Sequence, residues 1–250
     1  MPSAGGLAIV IAFSIATLVF IPMLTSTTAP IKSYLSYTLP VVGAGWIIAL
    51  TGLIDDVKEL SAKKKMIGIL LAASLVWFLT DFRLNDFKIP FGGPLLHFEP
   101  WLSYLLTVIW IVAITNAVNL IDGLDGLVSG VSIISLVTMG IVSYFFLPVP
   151  NLFLTMTIFV LVASIAGFFP FNYHPAILYL GDTGALFIGF MISVLSLQGL
   201  KNATAVAVVT PMIILGVPIT DTFLAIIRRT LSGQKFYKPD RNHLHHRLLS

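Results

Sequence analysis

The sequence predicts an all-α fold, a polytopic bundle of transmembrane helices with about eight spans. Three observations predict it. Of the 250 residues, 57% are hydrophobic and only 10% are charged, and the mean hydropathy is +0.98, values far from those of a soluble globular domain. Apolar stretches of the length a helix needs to cross roughly 30 Å of hydrocarbon recur along the chain. The charges between them are gathered into four clusters, at Asp55-Asp56, Asn116 to Asp125, Asn172 to Asp182 and Arg228 to Arg247.

The expected spans are 5–24, 38–54, 66–80, 101–118, 127–148, 151–170, 185–200 and 203–227, each bounded by polar or Pro/Gly-marked turns. The third and seventh are short. The eighth carries Pro211, Gly216 and Pro218, which predicts a kink or break. Segment 81–100 alternates in character around a Gly-Gly pair and is compatible with a small hairpin. With no internal repeat or linker, residues 1–250 read as a single integral-membrane domain, ending in a basic, histidine-rich loop over 228–250.

The chain has no cysteine, which excludes a disulfide framework and thiolate metal sites. It enters an apolar span at Gly5 without a basic leader, so no cleavable signal peptide is expected. Each polar cluster follows the one before by an even number of crossings, so all four are expected on one side of the membrane. The opposite side holds Lys32, Arg83, Lys88 and Lys201, and the cluster side the other ten of fourteen Lys and Arg. The positive-inside rule then makes the cluster side cytoplasmic.

The first cluster, GLIDDVKELSAKKK, runs from 52 to 65. Adjacent carboxylates repel one another and gain from a cation, and Lys58, Lys63, Lys64 and Lys65 lie close by. The lysines alone are equally well read as a topology signal, but the acids do little to set topology and are costly near hydrocarbon. The second cluster, NAVNLIDGLDG, spans 116 to 126. In a helical turn Asn116, Asn119, Asp122 and Asp125 share one face, and such a row of amides and acids suits a sugar or a base. Gly123 and Gly126 let the backbone leave the helix. Capping explains one or two of these side chains, hardly four.

In the third cluster, FNYHPAILYLGDTGALFIG over 171–189, Asp182 stands just before a fresh apolar helix. Alone it reads as an N-cap. Beside two other acidic clusters it becomes the best candidate for a direct ligand of a hard divalent cation, which takes oxygen ligands plus phosphate; Asn119 is the candidate companion ligand. Asn172 supplies an amide, and Tyr179 a stacking face or an ordinary interfacial anchor. The fourth cluster, 228 to 249, holds six Lys or Arg and three His. The spacing of His243, His245 and His246 is not that of a helical zinc site. With Arg228, Arg229 and Arg247 these side chains suit a pyrophosphate; a basic tail drawn to anionic lipid explains the Lys and Arg but not the histidines.

Taken in order, Asp55-Asp56, LSAKKK, NAVNLIDGLDG, FNxxPA with LGDTGALFIG, and PDRNHLHHRLL resemble the polyprenyl-phosphate N-acetylhexosamine-1-phosphate transferase family over essentially the whole chain. The HLHHRLL ending is similar to that of the bacterial undecaprenyl-phosphate GlcNAc-1-phosphate transferases, and differs from the His-His-His ending of phospho-MurNAc-pentapeptide translocase. The resemblance implies a multi-pass enzyme of the bacterial cytoplasmic membrane. It would make undecaprenyl-diphospho-GlcNAc and UMP from UDP-GlcNAc and undecaprenyl phosphate, with Mg²⁺ or a substituting Mn²⁺, at the start of teichoic acid, O-antigen or related glycan synthesis. Its partners are then the UDP-sugar, the lipid phosphate and membrane lipid, with no nucleic acid; a homodimer is left open.

The resemblance also implies roles. Asp182 matches the Mg²⁺ ligand, Asp55-Asp56 the essential acidic pair and Lys65 the lysine after it. Asp122 and Asp125 match the nucleotide-side acids, Asn172 a conserved amide, Tyr179 an aromatic against uracil, and His243, His245 and His246 the histidine motif. The family pattern commonly has Gln where this chain has Ile69. The same comparison predicts that the chain opens at the family's second span and stops before its last. A phosphate monoester is already largely dianionic at neutral pH, which favours direct attack on the β-phosphorus; a covalent route through Asp55 or Asp56 stays open. Other classes fit less well. An ion-coupled transporter expects its polar groups near the midplane, and an intramembrane aspartyl protease expects one proton-sharing dyad; a noncatalytic scaffold is the third alternative, favoured by the expected absence of the family's first and last spans.

Overall fold

The computed structural model describes residues 5–25, 31–88, 94–145 and 152–201. The segment 203–227 and the tail with Arg228, Arg229, His243, His245, His246 and Arg247 lie outside the described residues. Along the chain run α1 (Gly5–Ile15), a π-helical turn (Ala16–Phe20), α2 (Ile21–Thr25), α3 (Ile31–Lys58), α4 (Ala62–Leu79), β1 (Asp86–Lys88), β2 (Leu95–His97), α5 (Pro100–Leu120), α6 (Leu127–Phe145), α7 (Leu152–Asn172) and α8 (Gly181–Lys201). Helices occupy the first seven expected positions. Five runs of 19 to 21 residues, Gly5–Met23, Thr38–Lys58, Pro100–Leu120, Leu127–Phe145 and Leu152–Asn172, are long and apolar enough to span a bilayer, and Gly181–Leu197 is a shorter apolar helix. The architecture is the polytopic membrane bundle that the composition predicts.

Several boundaries differ from the sequence reading, each for a local reason. The second helix runs on through Asp55 and Asp56 to Lys58, because helical backbone satisfies its own hydrogen bonds and the terminal acids find partners elsewhere in the bundle. The third starts at Ala62 and takes Lys63, Lys64 and Lys65 into its first turn. The seventh starts at Gly181 and includes Asp182. By contrast, α5 ends at Leu120, and residues 121–126 form turns with Gly126 at φ +72°, a conformation that costs glycine little. The single-face row therefore holds for Asn116 and Asn119 and not for Asp122 and Asp125.

Helix α8 is the centre of the bundle. Every residue from Thr183 to Leu197 is buried, which is why its sequence is apolar all round and not on one stripe. It packs against α3, α5 and α1. Lipid is as apolar as leucine, so close packing between membrane helices depends on small residues that let backbones meet. A Cβ on Gly6 would lie 2.2 Å from the Gly184 nitrogen, and one on Gly52 2.5 Å from the Thr183 Cα; the Gly6 N–H donates to the Leu180 carbonyl at 3.0 Å. Large apolar side chains such as Phe20, Leu71, Phe78, Ile109, Ile134 and Phe145 face outward, where hydrocarbon would cover them.

The hairpin suggested for 81–100 is present. β1 and β2 pair antiparallel with Asp86 opposite His97, Phe87 opposite Leu96 and Lys88 opposite Leu95. It joins the end of α4 to the start of α5. The acidic ends of α3 and α5 and the start of α8 lie at the other end of the bundle.

Candidate active site

Four helix ends converge at that acidic end. Asp55 and Asp56 are neighbours in the last turn of α3, and their carboxylates go to different partners. Asp55 is 6% exposed; one oxygen accepts the Leu60 N–H at 2.6 Å, closing the turn after α3, and the other is ion-paired with the Lys65 ammonium. Lys65, from the first turn of α4, lies 3.1 Å from Asp182 Oδ1 as well. The Asn119 amide of α5 donates to that same oxygen at 2.5 Å. Asp182, 33% exposed at the start of α8, is thus the point where α4, α5 and α8 meet through charge.

Asp56 faces the first turn of α8. Its Oδ1 accepts the Asp182 N–H at 2.8 Å, and its Oδ2 accepts the Thr183 N–H at 3.1 Å and the Thr183 hydroxyl at 2.6 Å. These are donors that a helix start leaves without intrahelical partners.

Asp122 is half-buried in the turn after α5. Burial pushes its carboxyl up to about 7, and the negative charges of Asp182 and Asp56 add to the shift. It is therefore balanced between neutral and ionised near neutral pH. The two charges that add to the shift, those of Asp182 and Asp56, both belong to this acidic end.

The remaining sequence-nominated residues are placed differently. The Asn116 amide donates to the Val112 carbonyl of its own helix at 2.8 Å. Asp125 accepts the Ala176 N–H and meets the His174 ring, both at 3.1 Å, tying the turn after α5 to the loop between α7 and α8. Asn172 is buried, accepting from the Ser129 hydroxyl at 2.8 Å and donating to the Leu178 carbonyl at 3.1 Å. Tyr179, 37% exposed, sits on the approach to α8.

Sequence reasoning missed Thr183, His174, Ser129 and Gly52. For Gly52 a signal was present: it lies four residues before Asp56, on the same helical face, and its bare Cα is what brings α3 to the backbone of α8. His174 and Ser129 gave no signal, because their partners are fixed only by the fold.

Among the described residues no three His, Cys, Asp or Glu side chains converge as a closed metal cage. The donors at hand are hard oxygens: the Asp182 carboxylate and, once the amide turns its oxygen instead of its NH₂ toward Asp182, Asn119. That set fits a small divalent cation held by one or two protein oxygens, with phosphate and water completing its shell.

The family model for glycosyl transferase family 4 matches residues 38–200, a range that includes every member of this cluster. A probable undecaprenyl-phosphate N-acetylglucosaminyl 1-phosphate transferase of Bacillus subtilis (strain 168) is 44% identical over 253 residues, covering 100% of this chain and 66% of the relative. A decaprenyl-phosphate N-acetylglucosaminephosphotransferase of Mycolicibacterium smegmatis is 35% identical over 268 residues, covering 99% and 65%. A phospho-N-acetylmuramoyl-pentapeptide-transferase of Staphylococcus saprophyticus is 32% identical over 265 residues, covering 99% and 77%. The chain spans just under two thirds of the length of the first two relatives. The motif order in the sequence and the match over residues 38–200 agree: the chain belongs to glycosyl transferase family 4.

Proposed function

We propose that the protein transfers GlcNAc-1-phosphate from UDP-GlcNAc to undecaprenyl phosphate, giving undecaprenyl-diphospho-GlcNAc and UMP at the cytoplasmic face of a bacterial membrane. One observation carries the reading: a lysine from α4 bridges carboxylates from α3 and α8 at one end of a membrane bundle, in a chain of this family. Two of the relatives named above are N-acetylglucosaminyl-phosphate transferases, at 44% and 35% identity. The N-acetylmuramoyl-pentapeptide reading is second, resting on the relative at 32%.

The chain's own residues divide the work. Lys65, held by Asp55 and Asp182, is a fixed positive charge for an incoming phosphate and for the charge that develops as the pyrophosphate breaks. The lipid phosphate needs no base, being largely dianionic at neutral pH, so direct displacement at the β-phosphorus is the simplest route. The two acids support this, since each already has partners: Asp55 binds Lys65 and the Leu60 N–H, and Asp56 binds the start of α8. Asp182 and Asn119 are the residues that would hold Mg²⁺, which supplies charge neutralisation to the pyrophosphate and the UMP leaving group. Asp122, with its carboxyl near 7, is assigned to the nucleotide, which such a group can meet as donor or acceptor. Tyr179 offers a ring to the base, while Asp125, Asn172 and Asn116 shape the loops and helix around it. Arg228, Arg229, His243, His245, His246 and Arg247 are assigned to the pyrophosphate.

The test is to incubate membranes containing the full-length protein with C55 phosphate and a panel of UDP-sugars, and to weigh the lipid product. UDP-GlcNAc is expected to release UMP and yield a diphospho-linked HexNAc lipid. A product formed only from UDP-MurNAc-pentapeptide would favour the second reading, and no lipid product from any sugar nucleotide would end both. Net inversion at phosphorus is expected; net retention would establish a covalent intermediate.

A further inference from the structure

The adjacent acids Asp55 and Asp56 look interchangeable in sequence and are not so in the fold. Asp55 is engaged with the ammonium of Lys65. Asp56 crosses from the end of α3 to the start of α8 and takes three donors there, two backbone N–H groups and one hydroxyl, at 2.6 to 3.1 Å. A carboxylate has about four acceptor sites, so little is left for a reactant. A negative charge at a helix start is also favoured by the helix dipole. The approach depends on Gly52, where any Cβ would meet Thr183 backbone at 2.5 to 2.6 Å.

We propose that Asp56 is a positioning residue: it caps α8 from another helix and so fixes the backbone from which Asp182 presents its carboxylate to Lys65 and Asn119. The first donor it accepts is the N–H of Asp182 itself. An unrestrained first turn frays readily, because its N–H groups have no partners within the helix. Asp182 would then lose its fixed distance to Lys65. Asp56 thus acts on the reaction through Asp182 and touches neither the sugar nucleotide nor the lipid phosphate. This rests on the transferase reading only for its effect on turnover; the cap is a property of the fold.

Asp56→Asn keeps size but replaces one acceptor oxygen by an NH₂ donor, which faces donors. Thr183→Val removes only the hydroxyl, and Thr183→Ser restores it. Hydrogen exchange on the purified full-length protein in lipid nanodiscs reads the cap directly. In Asp56→Asn, exchange in the peptide covering 181–186 is expected to rise by about ten-fold, the scale of losing a good cap, while peptides from α6 keep the parent's protection. In the UMP-release assay, kcat falls while KM for the UDP-sugar stays near that of the parent. Thr183→Val falls less, Thr183→Ser returns toward the parent, and the Asp56→Asn/Thr183→Val double variant is no worse than Asp56→Asn, since both remove one linkage.

Unchanged exchange at 181–186 in Asp56→Asn would overturn the cap. Losses that multiply in the double variant, or a raised KM, would place Asp56 on the reactants. If the parent itself released no UMP from any UDP-sugar, the transferase reading would fail, and the exchange measurement would still decide whether Asp56 holds α8.

Discussion

The two ends of the helix bundle use polar side chains in opposite ways. At the acidic end the bonds join distant parts of the chain: Lys65 to Asp182, Asn119 to Asp182, Asp56 to the backbone of Asp182 and Thr183. At the hairpin end they have a shorter reach, joining neighbours in sequence or tying α4 and the loop after it to α5, as Trp77 to Ser103 and Leu84 to Thr107 do. Thr80 bonds back to Val76, Arg83 meets Asp81 and stacks over Trp77, Asp86 meets His97 across two short strands, and Ser103 reaches Asn85. Local bonds are cheap because little chain has to be ordered to form them. Long-range bonds between half-buried charges form only when the helices are already packed, and removing one partner leaves the other desolvated and unpaired. Side chains that a fold would not choose for stability are concentrated at the end to which the proposed reaction is assigned.

The largest effect is expected at Asp182. Asp182→Asn removes the negative charge that Lys65 and Asn119 share and the main candidate ligand for the cation. UMP release is expected to fall by about 10²–10³ in kcat, the scale seen when one preorganised electrostatic partner is lost. The central packing of α8 from Thr183 to Leu197 is untouched, so detergent-extracted protein should keep the parent's elution profile. Turnover within a few-fold of the parent would remove Asp182 from the reaction and leave the acidic end a structural network.

Much of this end was legible in the sequence, and the reason is physical. Charges in an apolar chain are expensive, so Asp55, Asp56, Asp122 and Asp182 stand out without any alignment, and counting crossings puts them on one side. The helices were legible because bilayer thickness sets their length; Pro100 at the first position of α5 even fixes one start. What the sequence leaves open is which acid does what. Asp55 and Asp56 are chemically identical neighbours, and only the direction of each side chain at the end of α3 sends one to Lys65 and the other to α8. Asp122 and Asp125 share a motif, but in the turn after Leu120 one is half-buried under the charges of Asp182 and Asp56 while the other accepts the Ala176 N–H. Spacing rules assume a helix continues, and here it stops.

Asp122 gives the acidic end a pH dependence near neutrality. Its folded carboxyl is raised from 3.8 to about 7 by burial and then by Asp182 and Asp56. The folded state therefore keeps a proton that the unfolded chain releases over that interval. Stability from this group is fully present below about pH 4 and is lost as pH rises through 7. The ceiling is about 1.4 kcal/mol per pH unit, reduced by the solvent that reaches a half-buried side chain. In buffer without divalent cations, the parent's apparent melting midpoint should drop relative to that of Asp122→Asn by about 2–4 °C between pH 5 and pH 7.5. Parallel curves for the two proteins would show that Asp122 is an ordinary, well-solvated acid.

The smallest effect is expected at the opposite end, where the polar pairs are exposed. His97 is 74% exposed and meets Asp86 on the neighbouring strand, a pair that solvent and salt screen on both sides. His97→Ala and Asp86→Ala should each change stability by no more than about 0.5 kcal/mol, and UMP release by no more than about two-fold. Among the described residues the hairpin has no hydrogen bond to the acidic cluster, and since β1 also packs against α8, any signal from it would have to travel the length of α4, α5 or α8. If either substitution cut turnover by an order of magnitude with the fold intact, the two ends would be coupled, and the division between a chemical end and a merely structural end would be wrong.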